Sequence, residues 1–373
     1  MRNATFAIVL FVLLFVINTA GQDTAFDRGL KQFDSKQYEQ AILSFRQVLT
    51  VSPQNYAAYY NMGLSYYNLK RYDEAVNAFK SAINIKPDYT AAHTQLGNAY
   101  DYLSKYNEAI AEYVRATELE PNKPDAYFEI GVAHYRQKNY AASIQSFQKA
   151  ISLDPNDAVT QYRLALDYIA LKRTDDALPL LQKAVSLGIQ NGYAQYELGK
   201  IYSDKKQSQK AIELYQLAIK YDPNIADAHK KLGDEYVEAK LYDQAIMSLN
   251  EAIRLDPKSS DAYLGLGNAY YNQNKNIEAI PPYKKAVEIS PDYVTAYLYL
   301  ADAYLNAKQY DAAIPVYKRA IALDSKNAEA QYGLGLVYYN LKNAALARQQ
   351  YTIVKTLDVN LAAKLQGWID KLQ

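Results

Sequence analysis

Cysteine is absent from the 373 residues. That removes disulfides, thiolate nucleophiles and cysteine metal sites in one step. Histidine occurs three times and tryptophan once. No charge of one sign dominates, with 41 Lys and Arg against 40 Asp and Glu. A bulk basic excess that would suit nucleic acid or an anionic membrane surface is therefore lacking. There is no phosphate-binding Gly-Lys-Ser/Thr loop, no His-Glu-x-x-His and no serine elbow. Gly265-Leu266-Gly267 and Gly333-Leu334-Gly335 begin like a dinucleotide fingerprint, but neither has the third glycine or follows a strand. These absences predict no enzyme, no cofactor and no metal site.

Glycine, by contrast, falls on a grid. Gly29, Gly63, Gly97, Gly131, Gly199, Gly233, Gly267 and Gly335 share a 34-residue period, with Ala165 and Ala301 at the two remaining grid points. A second small column lies twelve residues on, with Ser143 the one member that is not Ala. The ten repeats run over 22–55, 56–89, 90–123, 124–157, 158–191, 192–225, 226–259, 260–293, 294–327 and 328–361, with no insertion or deletion. Numbered 1 to 34, each carries apolar or small residues at 4, 7, 8, 11 and again at 20, 21, 24, 27, 28. Each set has helical spacing, so each repeat is two amphipathic helices around a short polar turn such as Asn68-Leu69-Lys70-Arg71. Proline at position 32 ends the second helix in seven repeats. Pro179, Pro281, Pro282 and Pro315 fall inside second helices, where they predict bends or late helix starts. A stripe of Leu361, Leu365, Trp368, Ile369 and Leu372 predicts a capping helix over 362–373, with Trp368 as a cap anchor.

The first residues differ from the rest. An apolar run, Phe6 to Ile17, follows one positive charge and precedes a small polar stretch. Twelve residues span roughly 18 Å as a helix, short of the ~30 Å hydrocarbon core. Residues 1–21 therefore read as a cleaved export signal, with an uncleaved membrane anchor as the alternative.

The pattern of an aromatic at 4, an apolar-Gly pair at 7 and 8, Tyr at 11, Ala at 20, an aromatic at 24 and Pro at 32 resembles the tetratricopeptide repeat family. Repeat two carries it as Tyr59, Met62-Gly63, Tyr66, Ala75, Phe79 and Pro87. The departures are Tyr, His or Gln in place of Trp at position 4, and Ile189, Ser325 and Val359 in place of the terminal proline. His93 and His229 hold position 4 and His134 position 11, slots that Tyr fills elsewhere, so all three histidines are expected to be packing residues. The resemblance implies an all-α fold, a right-handed α-solenoid superhelix of about ten helix-turn-helix units plus the capping helix.

In the family the first helices line a concave groove through positions 2, 5, 9, 12 and 13. Those fifty slots hold thirteen aromatics, eleven acids and three bases here. The groove is thus expected to be acidic and aromatic. Its candidate partner-binding residues are Phe26, Tyr60, Tyr67, Phe128, Tyr135, Tyr162, Tyr196, Asp227, Asp234, Asp261, Tyr271, Asp302 and Tyr339. Tyr60, Tyr162 and Tyr196, all at position 5, are the expected anchors. Tyrosine faces also attract Lys and Arg by ~0.5–2 kcal/mol. The partner is then a protein or peptide with basic and apolar side chains, and not a nucleic acid, whose phosphates an acidic lining repels. The function expected is an exported, non-enzymatic scaffold in a periplasm or cell envelope. The alternatives are an assembly factor on a secretion or outer-membrane biogenesis complex, or a structural spacer.

Overall fold

In a computed structural model, residues 24–372 are described. The expected export signal, residues 1–21, lies outside them. The described residues contain helices and turns and no strand. They divide into two compact units, one ending at Ile189 and one starting at Gln190. The division falls at the end of repeat five, where Ile189 replaces the usual proline and Gly188 is left-handed at φ 82°. In each unit consecutive helices pack on their chain neighbours, first helix against second, then second against the next first.

From repeat two on, the first helices are 13 residues long and begin where the 34-residue count begins, as at Tyr56–Asn68, Ala158–Ala170 and Ala328–Asn340. Second helices begin at position 17, as at Tyr72–Ile85. The prolines inside second helices do not delay them: Thr174–Ser186, Asn276–Ile289 and Tyr310–Leu323 keep the common starting position. Proline early in a helix removes at most one hydrogen bond, and the packing around it sets the register. Asn55, Asp157, Asn191, Ser259 and Asn327 close the turn between repeats by accepting N–H groups of the following first helix.

The turn inside each repeat is a left-handed cap. Position 15 has φ between 57° and 62° in all ten repeats, yet no glycine occupies it: eight residues are Lys, with Ser104 and Asn274 the exceptions. In repeat two, Arg71 N–H reaches the Tyr66 carbonyl at 2.9 Å and Lys70 N–H the Tyr67 carbonyl at 2.9 Å, the paired bonds of a Schellman end. A lysine at a helix C-terminus also meets the negative end of the helix dipole, which offsets part of the left-handed cost.

The core is set by the glycine grid. A Cβ placed on Gly63 would lie 2.6 Å from Phe79 Cε1, and one on Gly97 2.5 Å from Tyr113 Cε1. The same contact joins Gly29 to Phe45, Gly131 to Phe147 and Gly199 to Tyr215. Position 8 of the first helix is thus pressed on the ring at position 24 of the second. Ala41, Ala75 and Ala109 of the second small column are fully buried beside it. In the C-terminal helix, Val359–Ile369, Leu365 and Ile369 are sealed and Ala362 is buried, so these residues close the stack. Trp368 is 40 % exposed, and its ring packs on Tyr339 of the last first helix at 5.5 Å.

Adding a methyl at this contact overpacks a buried ring, which costs ~1–3 kcal/mol. Removing glycine from an open helix position gains ~1 kcal/mol. Gly63→Ala therefore lowers stability by up to about 2 kcal/mol. Gly367→Ala, where a Cβ meets nothing within 4 Å, raises it. Guanidinium unfolding of the two variants beside the wild type reads both signs; equal effects would show that the ring contact does not set the packing.

Candidate partner-binding face

Position 4 has a structural duty. His93 Nε2 lies 3.0 Å from the Pro87 carbonyl and His229 Nε2 3.0 Å from that of Pro223. Gln161 donates to the Pro155 carbonyl at 3.2 Å and Tyr127 to that of Pro121 at 3.3 Å. Each residue donates to the proline that ended the preceding repeat, which is why Tyr, His and Gln interchange there. His93 Nδ1 also sits 2.7 Å from Glu112 Oε2. Both ring nitrogens face acceptors, so the imidazolium fits best, and its pKa is raised, chiefly by the Glu112 hydrogen bond.

Position 5 forms the lid of the core. Phe26 packs on Phe45 at 5.7 Å, Tyr60 on Phe79 at 5.8 Å, Phe128 on Phe147 at 5.6 Å and Tyr196 on Tyr215 at 6.0 Å between ring centroids. Tyr162 and Tyr196 are 7 % and 8 % exposed. This corrects the expectation that position 5 supplies open anchors: Tyr162 and Tyr196 are buried, and Tyr60 and Tyr196 are committed to the ring beneath. Tyr60 is half-buried and also meets Tyr89 at 5.0 Å; burial, then Tyr89, pushes its hydroxyl up to about 12.

The aromatics that do open to solvent in the first unit lie at the ends of first helices. Tyr67 meets Tyr72 and Tyr102 edge-on, each at 5.4 Å, and Tyr102 stacks on Tyr72 at 4.8 Å and 14°. Tyr102 is 57 % exposed. Tyr135 repeats the arrangement in smaller form against Tyr140 at 5.7 Å. In the second unit, Tyr193 is exposed, Tyr339 packs on Trp368 at 5.5 Å, and the half-buried Tyr271 accepts from Asn306 at 2.6 Å.

The acids are less open than their number suggests. In the second unit Asp234 pairs with Lys230 at 2.8 Å, Asp261 accepts from the Tyr293 hydroxyl at 2.8 Å and Asp302 from the Tyr317 hydroxyl at 2.5 Å. Burial pushes Asp302 up to about 6, opposed by that hydrogen bond. Asp227 stands exposed. In the first unit Asp101 pairs with Arg136 of the following repeat. Missed by sequence reasoning was Tyr299, an exposed aromatic at position 6, outside the slots considered. No group of three or more His, Asp or Glu among the described residues is placed to hold a metal ion. No described helix is long and apolar enough to cross a membrane.

Ser143, the exception in the small column, belongs to a buried chain. Its hydroxyl lies 2.9 Å from the Gly131 carbonyl and 2.7 Å from Asp167 Oδ2, and Asp167 is fully buried. One hydroxyl proton cannot serve both acceptors. A protonated Asp167 donates to Ser143, which then donates to Gly131. Burial pushes Asp167 up to about 6, against the opposing Ser143 hydrogen bond.

The architecture is that of an α-helical repeat stack, a class built for presenting extended surfaces to other proteins. Sequence models described as tetratricopeptide repeats match residues 32–98, 94–158 and 192–225, and a further TPR repeat model matches 233–274, 267–308 and 302–342. The chain belongs to the tetratricopeptide repeat family, whose fold is that of a protein–protein interaction scaffold. Among solved structures, the C-terminal part of a TPR repeat-containing protein from Cytophaga hutchinsonii is similar at 22% identity and TM-score 0.52, over 64% of this chain and 98% of that one. A MamA structure is 30% identical over 44% of this chain and 97% of that one, at TM-score 0.41. YrrB, described as a TPR protein with an unusual peptide-binding site, is 22% identical over 53% of this chain and 97% of that one, at TM-score 0.47. No curated protein matches the chain.

The Asp167 chain makes a pH prediction. Its raised folded pKa means that its contribution is present below about pH 4 and lost as pH rises through about 6. Asp167→Asn keeps a donor toward Ser143 without the charge. Its melting temperature should match the wild type at pH 4 and exceed it at pH 7.5, by no more than about 3 kcal/mol in stability. A variant less stable than the wild type at pH 7.5 would show that the ionised carboxylate is the form that the fold needs.

Proposed function

We propose that the chain is a non-enzymatic scaffold that holds a protein or peptide segment along its first-helix faces. The observation that carries this reading is the Tyr67–Tyr72–Tyr102 cluster. It places a large aromatic surface outside the core, with Tyr102 more than half exposed. A stacked tyrosine already held by its neighbours offers contact area at little further entropic cost. Tyr193, Asp227 and Asp261 on the second unit supply separate contacts of the same character. The segment held is one with basic and apolar side chains. Residues 1–21 have the composition of an export signal, so the scaffold works in a periplasm or cell envelope, or is held to a membrane by that segment.

Tyr102→Ala tests the reading, because it removes an exposed ring and leaves the core intact. A panel of immobilised twelve-residue peptides combining apolar positions with Lys, Glu or Ser serves as ligand. The Lys set should bind best. Tyr102→Ala should weaken that binding by about fivefold to thirtyfold, the ~1–2 kcal/mol typical of an aromatic hot spot, with an unchanged melting temperature. Equal binding by the variant, or a preference for Glu peptides at this cluster, would refute the proposed ligand chemistry.

A further inference from the structure

The second unit contains a cavity of about 320 Å³ where the last repeat meets the C-terminal helix. Its walls are Leu305, Tyr332, Leu336, Tyr339 and Trp368, and Lys308 stands at its rim. Trp368 shares its helix with Leu365 and Ile369, which close the core, but it turns the other way and keeps 40 % of its surface open. Its ring is fixed from two sides, by Tyr339 at 5.5 Å and by Lys371 Nζ at 4.3 Å from the ring centroid. A tryptophan held so is not a loose surface residue.

Leu305, Tyr332, Leu336 and Tyr339 hold first-helix slots, but the cavity does not share the acidic character of those slots as a whole. No carboxylate lines it. Lys308 sits at the left-handed turn of repeat nine, exposed and without an ion-pair partner among the described residues. The volume is at the lower end of the ~300–1,000 Å³ range of small-ligand sites, room for one or two side chains. The mostly apolar, aromatic lining calls for an apolar body, and the lysines call for a negative charge beside it.

We propose that this cavity is a specificity pocket for a polypeptide partner, taking a Leu- or Phe-sized side chain whose neighbour in sequence is acidic. The apolar side chain enters between Tyr339, Leu336 and Trp368, and the adjacent carboxylate meets Lys308. This rests on the reading of the chain as a binder of peptide segments. It adds a local preference that the acidic, aromatic slots do not predict.

Trp368 is the only tryptophan in the chain, so its emission reports this pocket alone. The full chain is titrated with three blocked tetrapeptides, Ala-Leu-Glu-Ala, Ala-Leu-Lys-Ala and Ala-Ala-Glu-Ala. The Leu-Glu peptide should change the emission saturably and bind on the order of threefold to fivefold more tightly than either other peptide, the scale of one exposed ion pair or one partly buried apolar group. Lys308→Glu, on a solvent-exposed turn, should reverse the preference between Leu-Glu and Leu-Lys while the helical content stays constant. Equal responses to all three peptides, no response to any, or no reversal in the variant would overturn the proposal. An emission change on diluting the protein without peptide would show that a second copy fills the pocket, and would overturn it too. The two readings fail separately. Twelve-residue peptides whose binding needs Tyr102 while Trp368 stays silent would remove the pocket alone. A Leu-Glu response with no Tyr102-dependent binding would remove the first-helix anchor alone.

Discussion

The packing of eight of the ten repeats depends on the absence of one methyl group, at position 8. At position 8 the first helix lies so near the ring at position 24 that a side chain there would overlap it, with built Cβ atoms 2.5–2.6 Å from the rings at Gly63, Gly97 and Gly131. Close packing of this kind holds two helices at one distance and angle because interiors do not compress. Repeat nine shows that the constraint is one of volume, not of residue name. Ala301 takes the glycine position there, and a Cβ on Gly333 of the following repeat would meet Tyr317 Cε1 at 2.5 Å. The space that Tyr317 needs is supplied by a glycine 16 residues further on instead of 16 residues earlier.

The second level of order is polar and binds each repeat to the one before it. In four repeats a proline that stops a helix leaves its own carbonyl facing the next repeat, and position 4 donates to that carbonyl. Tyr, His and Gln are unlike in charge and shape, yet each can put a donor there. That explains a variation which looks like loss of pattern if position 4 is taken as an aromatic slot. The left-handed lysines obey a similar logic. Intrinsic preference favours glycine at φ near 60°, but the site also ends a helix, where a cation is favoured.

The helix pairs were legible from the sequence because a 34-residue period and helical spacing fix the same residues twice. The face that each residue belongs to was legible for the same reason. Depth was not. Tyr162 and Tyr102 both occupy first-helix slots, yet one is sealed and the other open. Position 5 faces the core, where Tyr196 lies over Tyr215, whereas Tyr102 stands over Tyr72 near the helix end. Nor does spacing show which acids are already engaged. Asp302 meets Tyr317, Asp261 meets Tyr293 and Asp101 meets Arg136, partners 15, 32 and 35 residues away. In the cap stripe Leu365 and Ile369 are sealed while Trp368 lies half-open against Tyr339, a difference in depth that helical spacing does not show.

This division between fixed and free positions makes a repeat stack adaptable. Positions 8, 20 and 24 are tied to one another through the core, and position 4 is tied to the preceding proline. Position 13, at the end of the first helix, answers to neither. It holds Tyr102, Arg136, Asp204, Glu238, Asn272, Asn306 and Asn340 in different repeats, an aromatic, a base, two acids and three amides. Tyr102 becomes an aromatic platform only because Tyr72 of the preceding repeat lies flat beneath it, and Asp101 is neutralised only because Arg136 follows. On the proposed reading, the unit of recognition is the junction of two adjacent repeats, not the repeat itself. A change at position 13 can alter what a junction binds without touching the glycine contact that holds the helices together.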